Sequence, residues 1–278
     1  LGNCFDFQPE QHGLSYDRLE EVDRWALHRL FKLVEKTTTA YDKYEYHQVF
    51  HAIHNFAAVD MSNFYLDLVK DRLYVLEKES PSRRAVQTVL AETLRTLTQL
   101  IAPVLSFTAE EIWSYFPFKD NESVFLKLWP ELPAYYRDEE LADRWEILLQ
   151  LREESNRVLE AARREKQIGS SLQAVVELYP DKELYPKLAA YRELLPTLLI
   201  VSGCHLHEPG EKWPADEDGL VAARELGLRL KIQKAPGAKC QRCWMYSPLV
   251  SRYKGQGEVC PRCREILEKG GPVAGPEN

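Results

Sequence analysis

Two C-x-x-C pairs near the C-terminal end constrain this chain more than anything else in it: Cys240-Gln241-Arg242-Cys243, sixteen residues, then Cys260-Pro261-Arg262-Cys263. Each pair can close a tight turn that aims two thiolates at one ion. Two such turns complete the tetrahedron of a structural Zn²⁺ site on Cys240, Cys243, Cys260 and Cys263. A closed site of this kind keeps no open position and does not activate water. The segment is too short to build its own core, so one structural zinc is expected to replace it, with Gly255, Gly257, Pro248 and Pro261 allowing the sharp turns. Two disulfides or a redox pair are the rival uses of the same cysteines. No apolar leader accompanies them, and Cys4 and Cys204 have no evident partners in the sequence, so a reducing, cytoplasmic setting is expected.

Charge sets the zinc segment apart. From Lys231 to Lys269 nine Lys and Arg stand against three Glu, a net of +6, whereas the whole chain carries −7 and the remainder therefore −13. A basic patch on an acidic protein suits a polyanionic partner at that end only. Four thiolates around one Zn²⁺ sum to −2, so Arg242 and Arg262, which hold matching positions in the two turns, have a second use in offsetting that charge. Trp244 follows the first pair directly and is either the lid of a small core or a platform for an unpaired base.

With 278 residues and 45% hydrophobic content the chain can bury more than one core, and two or three domains are expected. It opens Leu1-Gly2-Asn3-Cys4 without an initiator, which reads as a piece of a longer polypeptide. No apolar run is long enough to span a bilayer, so no membrane partner is expected, and the piece is expected to be a monomer.

The fold class expected is mainly α: a helical bundle over 1–137, a long helix and small α+β domain over 138–235, a Cys4 zinc module over 236–269 and a disordered tail over 270–278. In the bundle, Leu19, Val22, Ala26, Leu30, Leu33 and Val34 recur at helical spacing behind a capping-box-like Asp17 and Glu20. Further helices are expected over about 41–59 and 61–78. Ser80-Pro81 opens the next, with Val86, Leu90, Leu94, Leu97, Ile101 and Val104 as its stripe and Pro103 as its end. Thr108 restarts a helix in which Glu111 has the capping-box position rather than a catalytic one. His47, His51 and His54 share a helical face; a metal could bind there, but a mixed aromatic and polar face beside Tyr46 and Phe50 is the expectation, because no carboxylate follows in a metal pattern. Lys70 and Tyr74 also share a face, where Asp67 can pair with Lys70.

The long helix is expected from about Asp138 to Lys166. Leu141, Trp145, Leu148, Leu151, Val158 and Leu159 lie inside it, Arg152, Arg157, Arg163 and Arg164 mostly outside, and Gly169 ends it. Strands are expected at Leu172–Leu178, Leu198–Val201 and Leu226–Ile232, with a helix over Lys182–Leu195. In the last strand Arg229, Lys231 and Gln233 form a basic face that leads to the zinc segment. No phosphate-cradling glycine loop, nucleophile elbow or paired catalytic carboxylates are present, so no catalytic residue is expected.

Several stretches resemble a known family. Glu21-Val22-Asp23-Arg24-Trp25-Ala26-Leu27, Asp60-Met61-Ser62-Asn63-Phe64-Tyr65, Lys70-Asp71-Arg72-Leu73-Tyr74 and Ile101 through Trp113 resemble the anticodon-binding helical domain of the class I synthetases for isoleucine, valine and leucine. Arg157 through Leu172 resembles the region that follows it. Lys239-Cys240-Gln241-Arg242-Cys243-Trp244 with Cys260-Pro261-Arg262-Cys263 resembles the C-terminal zinc module of bacterial isoleucyl-tRNA synthetases, where the valine enzymes typically carry a coiled coil. The resemblance covers nearly the whole chain, in the family's order, and corresponds to the last third of the enzyme; the nucleotide-binding fold with its HIGH and KMSKS signatures and the editing domain are not in this sequence.

The resemblance implies a reader of the anticodon arm of isoleucine tRNA, partnered by the rest of the synthetase chain. ATP chemistry would then belong to the catalytic domain, and this piece alone would be inactive. The residues it points to for tRNA are Lys70, Arg72 and Tyr74 in the bundle and Lys239, Arg242, Trp244 and Arg262 around the zinc. Unstacked loop bases suit aromatic platforms, and phosphates suit Lys and Arg. The alternative is a free-standing zinc-stabilised module that binds RNA or protein without ligase activity.

Overall fold

A computed structural model describes residues 2–210, 219–255 and 257–270; of the expected tail, 271–278 lie outside the described residues. The fold is mainly α, with one small mixed sheet and a Cys4 cluster. Two compact units divide the chain, Leu1–Asp143 and Arg144–Asn278.

The first unit holds α1 (Pro9–His12), α2 (Glu21–Asp42), α3 (Tyr46–Asn55), α4 (Leu66–Tyr74), α5 (Pro81–Ile101) and α6 (Ser106–Ser114). The capping box lies three residues later than the sequence suggests. Glu20 is the N-cap of α2, its side chain accepts from the Asp23 N–H, and the Asp23 carboxylate accepts from the Glu20 N–H at 3.2 Å; Asp17 belongs to a short 3-10 turn instead. α2 runs on to Asp42, and the chain reverses at Tyr44, whose φ of 57° is left-handed. The helix break expected at Asp60 does not occur. Phe56–Tyr65 continues α3 into α4 through wider π-type turns, and buried Phe56, Met61 and Tyr65 recur at five and four residues as such turns require. The third expected helix therefore ends at Tyr74.

α5 opens at Pro81 and ends before Pro103, as expected. Its deepest stripe, though, is Val86, Val89, Thr93, Thr96 and Leu100, while Leu90, Leu94 and Leu97 are half-buried. Trp25 of α2 meets Phe64 edge-on with ring centroids 4.8 Å apart, in the core shared by α2, α5 and the π-type segment. The N-cap of α6 is Leu105 and no side chain caps it; Glu110 turns outward to accept from Ser123 Oγ (2.9 Å) and the Val124 N–H (3.1 Å). At the other end of α5, buried Arg83 and Arg84 converge on Asp6, with Arg83 Nη1 at 2.9 Å.

α7 (Glu139–Arg164) carries the chain into the second unit. Arg152 is buried rather than outward and donates to the Leu198 carbonyl. The helix ends at Arg164 and the chain turns off it at Lys166, left-handed at φ 60°, rather than at Gly169, whose N–H donates to Gln173 Oε1 at 2.7 Å. β1 (Ala174–Pro180), β2 (Gly203–Leu206), β3 (Val221–Ala223) and β4 (Leu228–Lys234) form one sheet in the order β2-β1-β4-β3, with β1 and β2 parallel and the other pairs antiparallel. β1 is buried on both faces, as the central position demands. The expected helix over 182–195 is instead α8 (Tyr185–Ala189) and α9 (Leu195–Leu199), each with a proline in its first turn. The expected strand at 198–201 is the end of α9, which Ile200 stops in the left-handed region before β2 begins. A short apolar run with no flanking signal fits a buried helix as well as a strand.

The rest of this unit is small: β5 (Ala238–Lys239) pairs with β6 (Tyr246–Ser247), β7 (Ser251–Arg252) with β8 (Glu258–Val259), and α10 spans Pro261–Glu268. Two hydrogen bonds tie it to the sheet domain: Gln173 Nε2 donates to Tyr246 Oη at 2.9 Å, and the Tyr246 N–H donates to Ser202 Oγ at 2.7 Å. Gly237 is obligatory beside them, because at its φ of 87° a Cβ would lie 2.3 Å from the Ser247 backbone.

Candidate metal centre and nucleic-acid interface

Both C-x-x-C pairs fold into the same turn. The Trp244 N–H donates to the Cys240 carbonyl at 2.9 Å, and the Arg264 N–H donates to the Cys260 carbonyl at 3.0 Å. Pro261 in the first turn of α10 fixes the second of these, since it needs no N–H there. The Cys260 N–H points at Cys240 Sγ (3.3 Å), the kind of backbone donor that steadies a thiolate ligand. All four sulfurs lie within 4.8 Å of one another, and Cys243 and Cys260 are 3.8 Å apart. A tetrahedron with Zn–S bonds of about 2.3 Å spaces its sulfurs by about 3.8 Å. Donor type, number and spacing therefore fit one ion with no position left for water, and no other metal-ligand cluster occurs among the described residues. Packed this closely the sulfurs compete for protons. The Cys243 contact pulls the Cys240 thiol down, and the Cys240 contact pushes Cys243 up. A divalent cation would hold all four as thiolates.

Trp244 stands on the outside of this cluster. It adopts φ 66°, is 56% exposed, and has Lys239 Nζ 4.9 Å from its ring centroid. A tryptophan that sealed a small core would be buried, so the ring lies at the surface with a cation over one face. Arg242 is half-buried beside the sulfurs and Arg262 is exposed on α10. The structure thus brings Lys239, Arg242, Trp244 and Arg262 together around one Cys4 cluster. Gly257 holds the loop between the pairs: at φ 78° a Cβ there would lie 1.9 Å from Gln241 Oε1, which accepts from the Glu258 N–H at 3.1 Å. That Tyr246, Ser202 and Gln173 would support this region is not signalled anywhere in the sequence, because their contacts join segments far apart in the chain.

In the bundle, Lys70, Arg72 and Tyr74 have three different settings. Lys70 is exposed and pairs with Asp67 at 2.6 Å. Tyr74 is 61% exposed at the end of α4. Arg72 departs from the expectation of a phosphate contact. Its guanidinium is bidentate to fully buried Asp23 (2.6 and 3.1 Å) and also donates to the Ser82 carbonyl, so its donors are already committed within the bundle. Tyr65 Oη donates to the same carboxylate at 2.8 Å. Burial raises the Asp23 carboxyl above its usual range in spite of these partners, while Asp23 beside it keeps the Arg72 guanidinium firmly charged against its own burial. His47, His51 and His54 form the expected aromatic and polar face, with His54 stacked on Phe50 at 5.8 Å.

Comparison with known proteins gives the family. Residues 23–178 match the family described as the anticodon-binding domain of tRNA ligase. The chain is 44% identical over 272 residues to an isoleucine–tRNA ligase of Moorella thermoacetica, 43% over 272 residues to one of Caldanaerobacter subterraneus subsp. tengcongensis, and 44% over 270 residues to one of Carboxydothermus hydrogenoformans. Each alignment covers 97% of this chain but only 28–29% of the relative. No helix among the described residues is long and apolar enough to cross a membrane. The chain belongs to the tRNA ligase family whose anticodon-binding domain its residues 23–178 match.

Proposed function

We propose that this chain recognises the anticodon arm of isoleucine tRNA as the C-terminal part of an isoleucine–tRNA ligase. The bundle (1–137) and the junction domain (138–235) would carry the zinc module (236–269). The observation that carries the reading is the exposed Trp244 ring, held with Lys239 on the rim of a Cys4 cluster, in a chain that aligns along 97% of its length with isoleucine–tRNA ligases. Cys240, Cys243, Cys260 and Cys263 would hold one structural Zn²⁺, which supplies rigidity and no chemistry of its own. With the turns fixed, Trp244 can stack on an unpaired base while Lys239, Arg242 and Arg262 meet phosphates. Lys70 and Tyr74 of the bundle would make contacts of their own with the same tRNA. ATP and isoleucine would be handled by other parts of such a ligase. The piece would work as a monomer in the cytoplasm.

Competition tests the reading. An unlabelled hairpin copied from the anticodon arm of isoleucine tRNA should displace labelled full-length tRNA from the protein, and a minihelix copied from the acceptor arm should not. Displacement by the acceptor minihelix alone, or by both equally, would reject anticodon-arm recognition in favour of a general RNA-binding module.

A further inference from the structure

Two opposite charges on α5 are left unanswered by the bundle. Glu92 and Arg95 stand three residues apart, so their side chains leave the same face of the helix, and both are half-buried. Neither makes a hydrogen bond or ion pair among the described residues. They feel each other only at a distance: burial raises the Glu92 carboxyl above its usual range, and Arg95 opposes that rise without forming an ion pair with it. The other carboxylate in the field of Arg95, Asp120, is already paired with Lys127 at 2.7 Å. Tyr136 also lies within reach of the Glu92 charge, and its hydroxyl is held protonated by burial first and by that carboxylate second. A half-buried charge without a partner costs free energy that a matching ligand would offset.

Both charges line a cavity of about 330 Å³ between α5 and the N-terminal segment, whose apolar walls include Phe7, Leu14, Ala91 and Phe118. These walls are fixed. Phe7 and Ala91 belong to one buried cluster with Cys4, Phe7 meets Phe118 edge-on at 6.2 Å, and the Leu14 N–H donates to Thr88 Oγ1 of α5 at 3.1 Å. Ligand pockets of roughly 300–1,000 Å³ combine apolar walls with a few convergent polar groups, and this cavity has that make-up at the small end of the range. The charges decide the ligand. A phosphate or nucleic acid would be repelled by Glu92, and a metal ion or polyamine by Arg95. A ligand that carries both an ammonium and a carboxylate satisfies the two at once. An α-amino acid with an apolar side chain has those groups on one carbon, and a body that the aromatic walls can cover.

We propose that this cavity binds a free α-amino acid with an apolar side chain, its ammonium on Glu92, its carboxylate on Arg95 and its side chain between Phe7 and Phe118. The site lies wholly within the first unit and does not depend on the reading of the chain as an RNA binder.

The test titrates the whole chain with L-leucine by nuclear magnetic resonance, beside two fragments of that ligand: isopentylamine, which lacks the carboxylate, and 4-methylpentanoate, which lacks the ammonium. Leucine should bind saturably, with magnetisation transfer from its methyl groups to the rings of Phe7 and Phe118. Each fragment should bind about tenfold or more weaker, since each gives up one charge-assisted contact. Glu92→Gln and Arg95→Gln should each lower leucine affinity by a similar factor, about tenfold or more, at an unchanged melting temperature. Leucine that does not saturate the wild-type chain, a fragment that binds as tightly as leucine, or a folded variant of either residue that binds leucine like the wild type would overturn the site. Should a variant fail to fold, the comparison of leucine with its fragments on the wild-type chain still decides the question.

Discussion

Lys239 holds its ammonium 4.9 Å from the centroid of the Trp244 ring, on the outer edge of the Cys4 cluster. The left-handed backbone at Trp244 makes this possible, since the same residue both closes the first cysteine turn through its N–H and turns its ring to solvent. A non-glycine residue in that region is strained by about 1–2 kcal/mol, and such strain persists where the surroundings fix it, as the first cysteine turn does here.

Trp244→Ala should therefore leave the fold intact and remove a base platform. We expect unchanged metal content and a loss of about 1–3 kcal/mol in affinity for the anticodon hairpin, measured by fluorescence anisotropy. Lys239→Ala should reduce the salt slope by about 0.9 or less, as one lost phosphate contact would. Unchanged affinity in Trp244→Ala at full metal content would return the ring to a packing role.

The metal assignment has a stoichiometric check. Purified chain should hold one zinc, and Cys260→Ser should hold much less than one, with loss of the tertiary signal of the 236–269 segment, because binding energy there is folding energy. Cys4 and Cys204 are distant in sequence from the cluster and are free thiols, so a Cys204→Ser variant should keep its zinc. Retention of a full equivalent by Cys260→Ser would contradict the four-sulfur site.

Arg72 and Lys70 separate structure from binding. Removing the Arg72 guanidinium strands the buried Asp23 carboxylate, and breaking a buried pair in this way costs about 3–5 kcal/mol. Arg72→Ala should accordingly lower the denaturation midpoint sharply, whatever it does to RNA. Lys70→Ala removes only an exposed pair with Asp67 and should shift stability by about 0.5 kcal/mol or less. If Lys70 touches phosphate, its variant will still weaken tRNA binding; if affinity holds at several salt concentrations, Lys70 is an ion-pair partner alone. A stable Arg72→Ala would show that the Asp23 network does not hold the bundle.

These residues also show what the sequence could and could not convey. The cysteine site was legible because ligand spacing is a local property and the chemistry of four thiolates admits few uses. The helices of the bundle were legible from periodicity, and Pro81 and Pro103 bounded α5 correctly. The roles of arginines were not. Arg72 in α4 and Arg152 in α7 read as outward cations, yet one meets Asp23, 49 residues away in sequence, and the other meets the Leu198 carbonyl, 46 residues away. Nothing local to either arginine announces a partner at that distance. The π-type turns from Phe56 to Tyr65 were hidden for a related reason, because a wider turn rotates the buried positions off the 3.6-residue repeat that a search for helices follows. Asp60, which looked like a break, is instead held inside the run by Arg29 at 3.1 Å. The residues around the Cys4 cluster were visible as charge and aromatics in one short segment.

The measurement that bears most directly on the central claim is the equilibrium affinity of the purified chain for isoleucine tRNA against a noncognate tRNA at the same salt concentration. General phosphate attraction is the same for both, so a gap reports contact with bases that differ between them, and a noncognate tRNA differing only in its anticodon confines these to the anticodon. Tighter binding of isoleucine tRNA is expected, with the gap narrowed by Trp244→Ala. Equal affinity for the two tRNAs in the wild-type chain with its zinc bound would contradict it.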